Sequence, residues 1–204
     1  MINRTVSVVL VAAALSGCVR NEELRIIASG SMLPTLQPRD RVLFQYNAPL
    51  QRGSIVAYTS PHAFDPALKT AQTRQFCFAE VLPVLGRFIA GWMNNPTCDV
   101  FIHRIVALPG DRVQISATGE VLVNGRPQRQ GASGPACPVR SHGADACPTL
   151  GDTTVPPGHV LVLGDNRSNS WDSRYWPSGP FLPIPEIRGV ADRIVAPEAR
   201  AGQL

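Results

Sequence analysis

Three short stretches of this chain carry side chains suited to nucleophilic chemistry. The first, Ser29-Gly30-Ser31-Met32-Leu33-Pro34-Thr35-Leu36, sets two serines around a glycine and lets a proline stiffen the exit. Glycine admits backbone angles closed to other residues, and a serine held on such a turn can present its hydroxyl as a nucleophile. The second, Phe101-Ile102-His103-Arg104-Ile105-Val106, reads as a strand in which His103 and Arg104 face opposite sides. An imidazole titrates near neutrality and can take a proton from a serine hydroxyl. The third, residues 163–176, closes an apolar strand with a polar block containing Asp165, Ser170, Asp172 and Arg174. It supplies carboxylates and hydrogen-bond partners. Taken singly, each group has an ordinary structural use, since serines in Gly/Pro turns bond their own backbone and aspartates cap turns.

The elements that must position these groups are short. From residue 24 onward, apolar runs at 25–28, 41–46, 54–58, 100–107, 112–115, 121–123, 159–163 and 187–195 are separated by turn residues and read as strands. Leu108-Pro109-Gly110-Asp111 and Val123-Asn124-Gly125-Arg126 are turn signals, the second typical of a two-residue hairpin loop. The expected architecture is mainly β and antiparallel. Residues 60–99 interrupt this pattern with an apolar insert, either a short helix or a flap. Residues 128–157, rich in Gly, Pro, Ser and Cys, read as a long stapled loop.

Composition narrows the function classes. With 204 residues and 44% hydrophobic content the chain can bury one domain core. Gly (17) and Pro (19) follow no repeat period, which rules out collagen and coiled coil. The net charge of +4 is scattered and aromatic residues are few, so a nucleic-acid partner is not expected. Of the 19 basic residues only Lys69 is a lysine, which leaves one candidate for any amine chemistry.

Residues 5–19 contain no charge and lie between Arg4 and Arg20. Fifteen residues in a helix reach about 22 Å, less than the hydrocarbon core of about 30 Å, so the segment fits a signal-peptide core or a short anchor. Its end, Leu15-Ser16-Gly17-Cys18, resembles the lipobox of bacterial lipoproteins. Lipidation at Cys18 and an uncleaved anchor are the two readings, and both divide the chain into a membrane-directed segment at 1–20 and an exported domain at 21–204. The other four cysteines, Cys77, Cys98, Cys137 and Cys147, are an even set suited to an oxidising compartment. The shortest loops pair Cys77 with Cys98 and Cys137 with Cys147. No CxxC or HxxxH spacing accompanies them, so no metal and no cofactor is expected.

In their order along the chain the stretches resemble the type I signal peptidases, membrane-bound serine peptidases of the S26 family that remove signal peptides. SGSMLPTL at 29–36 resembles the family's nucleophile box, and RGSIVAY at 52–58 its GDIVVF box. HRIVALPGDRV at 103–113 resembles its KRxxGLPGDxV box, and GDNRSNSWDSRYW at 164–176 its GDNRxNSxDSRYW box. The resemblance implies two antiparallel β-sheet regions and an exposed strand edge for an extended substrate. It implies that Ser31 is the nucleophile and that the Ser31 N–H and Ser29 hydroxyl form the oxyanion hole. The partners it implies are preproteins and the bacterial cytoplasmic membrane, with the domain on the outer face. Ser170 matches a residue that contacts the base, and Asp165, Arg104 and Arg174 are read as supporting residues.

One position departs from the bacterial pattern: the base is usually a lysine just before the arginine of the third box, and here it is His103. Lys69 matches no box. An imidazole needs little shift to be neutral at pH 7 but benefits from a partner that fixes its tautomer. Asp172 is the expected partner and Asp165 the second choice, with an acid limb of the rate expected at about 6 to 7. Two other outcomes stay open: a peptidase dedicated to one substrate, such as a conjugative pilin, and an inactive membrane-attached binding protein of the same fold.

Overall fold

A computed structural model describes residues 21–59, 100–133 and 147–204. The segment at 1–20, the insert at 60–99 and most of the cysteines lie outside the described residues, as does Lys69. Cys147 is disulfide-bonded.

Twelve strands run through the described residues: β1 (Glu22–Ile26), β2 (Arg41–Gln45), β3 (Ile55–Thr59), β4 (Val100–Ala107), β5 (Arg112–Ile115), β6 (Val121–Val123), β7 (Arg126–Pro127), β8 (Leu150–Thr154), β9 (His159–Leu163), β10 (Leu182–Pro183), β11 (Ile187–Ala196) and β12 (Gly202–Gln203). They form two antiparallel sheets. The larger has the order β1-β2-β11-β3-β4-β9-β10, with β12 on β11; the smaller has the order β7-β6-β5-β8. This is the mainly β architecture expected from the apolar runs, and β4, β5, β6 and β9 have the expected bounds. The loop expected at 128–157 is corrected in part: β8 lies inside it and pairs with β5. Leu150 is the one large apolar residue of that strand, too weak an alternation to be read from sequence.

The larger sheet is buried on both faces at its centre. On β3, Ile55 and Ala57 join a cluster with Met32, Leu36, Val42, Phe44 and Ile194. Val56 and Tyr58 point the other way, into a cluster with Ile105, Val160, Val162, Trp176 and Leu182. A third cluster joins the ends of β4 and β9 to the smaller sheet through Val106, Leu161, Val113 and Val123. The period-2 geometry of β4 divides its side chains in the same way. Val56 is registered with His103 and Tyr58 with Phe101, so His103 shares the face of Tyr58, and Arg104, opposite Ile55, lies on the other face.

The turn that carries Ser29 and Ser31 is pinned by its apolar members. Met32 and Leu36 are buried in the first cluster, and the Leu36 N–H bonds the Met32 carbonyl at 2.9 Å, closing one helical turn. Leu36→Ala is therefore expected to lower stability by about 2–5 kcal/mol through the cavity it leaves. The measurement is a reduced midpoint in urea unfolding; a midpoint equal to wild type would show that the turn does not depend on this anchor.

Candidate active site

The three chemistry-bearing stretches meet. The Asn166 N–H donates to the Ser31 carbonyl at 2.9 Å and the Asn166 amide donates to the Gly30 carbonyl at 3.0 Å, so the polar block holds the serine turn by its backbone. Gly164 is needed at this crossing, because a Cβ there would fall 2.1 Å from Ser170 Oγ and 2.7 Å from the Ser31 carbonyl oxygen. Ser29 Oγ and Ser31 Oγ lie 3.2 Å apart at the surface. Ser31 and His103 line one open cavity of about 730 Å³, bounded by β1, the chain that follows it to Met32, residues 100–103, Asn169 and Trp171.

His103 is 1% exposed. Its Nδ1 lies 2.8 Å from the Tyr58 hydroxyl and its Nε2 3.2 Å from Ser170 Oγ, so both nitrogens face hydroxyls. Burial pushes the imidazole pKa down to about 4; the charges of Asp172 and Asp165 pull it upward and that of Arg174 downward, without reversing the effect of burial. The ring is thus neutral at every physiological pH.

Neither expected carboxylate bonds this ring. Asp172 is fully buried and gives its oxygens to Arg174 Nε (2.8 Å), Arg174 Nη2 (2.9 Å) and the Gly164 N–H (2.9 Å). Burial raises its pKa, but the charge and hydrogen bonds of Arg174 outweigh this and hold it below the usual carboxylate range. Asp165 accepts from Arg104 Nε at 2.9 Å, Arg104 Nη2 at 2.7 Å and the Thr35 hydroxyl at 2.5 Å. The physical reason is the same in both cases. A guanidinium offers a carboxylate two donors and a full charge, and an imidazole stripped of its proton by burial offers far less.

Arg104 and Arg174 therefore hold the site's framework. Arg104 also donates to the Gly53 carbonyl at 2.6 Å, and Arg174 to the Arg167 carbonyl at 3.0 Å. Tyr58 is the residue that sequence reasoning passed over, since it ends a strand of apolar character. Its signal was the phenolic oxygen at the close of RGSIVAY, and only the strand register brings that oxygen to His103. Among the described residues no group of His, Cys, Asp and Glu is placed to hold a metal ion.

A family model described as signal peptidase, peptidase S26 matches residues 1–196. The chain belongs to this family. It is 30% identical over 190 residues to a signal peptidase I of Leptolyngbya laminosa, covering 89% of this chain and 72% of that one. It is 33% identical over 189 residues to a probable signal peptidase I-2 of Synechocystis, covering 89% and 66%. It is 29% identical over 197 residues to the signal peptidase I of Mycobacterium tuberculosis, covering 87% and 66%, so the chain spans just under two thirds of the length of the last two. As a member of the peptidase S26 family the chain is a serine peptidase, a hydrolase.

The buried imidazole has a consequence for stability. In the unfolded chain it binds a proton near its ordinary 6.5, and in the folded chain only near 4. Between these values the unfolded state holds more protons, so the contribution of His103 to stability falls as pH falls through that window, by about 3 kcal/mol in all, and that contribution is constant above it. Wild type is expected to lose more thermal stability than His103→Gln between pH 7 and pH 4.5. Equal losses in calorimetry would show that His103 does not titrate in this way.

Proposed function

We propose that this chain is a membrane-associated serine endopeptidase that removes signal peptides from exported preproteins, with Ser31 as nucleophile and His103 as general base. The observation that carries this reading is a serine turn and a buried, neutral imidazole opening on one cavity between two strand edges. Among the described residues β1 is one edge of the larger sheet, and residues 100–103 pair with β3 on one side while β9 joins β4 only from Arg104 onward. An extended peptide can pair with such edges, its alternate side chains entering the cavity between them.

In the first step the Ser31 O–H bond breaks as Oγ bonds the scissile carbonyl carbon, and the proton goes to the Nε2 side of His103. The Ser31 N–H and the Ser29 hydroxyl stabilise the oxyanion. Collapse breaks the C–N bond, and the imidazolium returns its proton to the departing amine. Water then attacks the acyl-enzyme by the same route in reverse. Asp172 and Asp165 act on this chemistry through charge and architecture rather than by bonding the ring.

Preprotein cleavage by the full chain in detergent is expected to vanish in Ser31→Ala and to fall by about 10²–10⁴ in His103→Ala. The acid limb is expected near 4, where the buried imidazole titrates, rather than at its ordinary 6.5. Undiminished activity in His103→Ala, or a rate still rising above pH 9, would remove His103 as the base. An intact Ser31 and His103 with no cleavage of any preprotein would favour the binding-protein reading.

For the membrane attachment, no described helix is long and apolar enough to cross a bilayer, and the segment at 1–20 lies outside the described residues. Lipidation at Cys18 is tested by Cys18→Ser. Loss of fatty-acid labelling and of the processed form supports lipid attachment, and an unchanged, membrane-bound product supports an anchor.

A further inference from the structure

We infer that Tyr58 is a positioning residue for His103: its hydroxyl accepts the Nδ1–H of the ring and so keeps Nε2, the nitrogen on the side of the serines, free of a proton. This rests on the reading of His103 as the base.

The geometry has three parts. Tyr58 reaches His103 across the β3–β4 pair as its diagonal neighbour, and the oxygen sits 2.8 Å from Nδ1. The phenol cannot swing away, because it is fully buried with its ring centroid 6.1 Å from that of Phe101 and 6.0 Å from that of Trp176. At the other end of the imidazole, Nε2 faces Ser170 Oγ, which abuts the position of Gly164 where the Ser31 carbonyl also lies.

This chain of hydroxyl, imidazole and hydroxyl has two proton arrangements. In one, Tyr58 donates to Nδ1 and Nε2–H donates to Ser170; the nitrogen beside the serines is then blocked. In the other, Nδ1–H donates to Tyr58 and the Nε2 lone pair accepts a hydroxyl proton. Only the second is competent for general-base catalysis.

Tyr58 is what makes the second arrangement accessible. Without its oxygen the Nδ1–H would face aromatic rings in a dry interior, and an orphaned buried N–H is strongly disfavoured. The ring would then place its proton on Nε2, where Ser170 still accepts. The charged groups that act on the ring, Asp172, Arg174 and Asp165, do not compete for Nδ1, because each carboxylate is held by a guanidinium. The phenol itself stays protonated, since burial and the charge of Asp172 raise its pKa well above the ordinary value. It orients the ring as a carboxylate would, without adding a charge.

The test is ¹⁵N spectroscopy of the full chain in micelles, with ¹⁵N-histidine and His103→Gln to assign the His103 signals among the four histidines. Wild type is expected to carry its proton on Nδ1, and Tyr58→Phe to move it to Nε2. In the same variant kcat for preprotein cleavage is expected to fall about tenfold or more, the cost of a wrong tautomer, with KM within about twofold. The inference is overturned by a wild-type ring protonated at Nε2, by an unmoved tautomer in a folded Tyr58→Phe, or by an unchanged kcat there. The wild-type spectrum decides even if the variant does not fold. It is read without substrate, so it scores Tyr58 separately from the base assignment, which is tested by whether His103→Gln or His103→Ala keeps its activity.

Discussion

The buried pair of Arg104 and Asp165 is the constraint on which the rest of the site depends. Asp165 belongs to the polar block after β9, Arg104 to β4, and the Thr35 hydroxyl that shares the carboxylate belongs to the serine turn. One carboxylate thus joins three segments far apart in sequence. Its side chain is 1% exposed and that of Arg104 10%. Removing either partner would leave the other charge stranded in a poor solvent for ions, a cost of several kcal/mol. The pair is a registration device: with it in place, Asn166 meets the Ser31 carbonyl and Gly164 slides past Ser170.

On the opposite face of the same strand the logic is reversed. Arg104 keeps its charge by pairing, whereas His103, one residue away, loses its charge by burial. A strand's alternation lets adjacent residues occupy such different media. The second guanidinium–carboxylate pair, Arg174 with Asp172, stands close enough to be felt by the imidazole without bonding it, so the two charges partly cancel at the ring.

Much of this was legible in the sequence. The strands around His103 declared themselves by β-branched runs ending in Pro-Gly-Asp and Asn-Gly turns, and the four boxes carried the family. The partner of His103 was not legible. Asp172 and Asp165 were both chemically plausible, and choosing between them and a third group required knowing where each carboxylate's guanidinium lies. Arg174, two residues from Asp172, gave no sign in the sequence that it would fold back on it. Nor does a tyrosine at the end of an apolar strand reveal which strand it will face. β8 was missed for a simpler reason: Leu-Gly-Asp-Thr-Thr has one large apolar residue, and its pairing comes from β5 rather than from its own pattern.

The depth at which His103 is buried sets the tempo of the proposed reaction. A nitrogen whose conjugate acid sits near 4 is a reluctant acceptor and a ready donor. The uphill part of each turnover then lies in drawing the proton off the serine or the water, while expulsion of the amine is downhill. The imidazolium of such an enzyme would be short-lived in every turnover, giving its proton promptly to whichever group leaves the tetrahedral adduct, amine or serine.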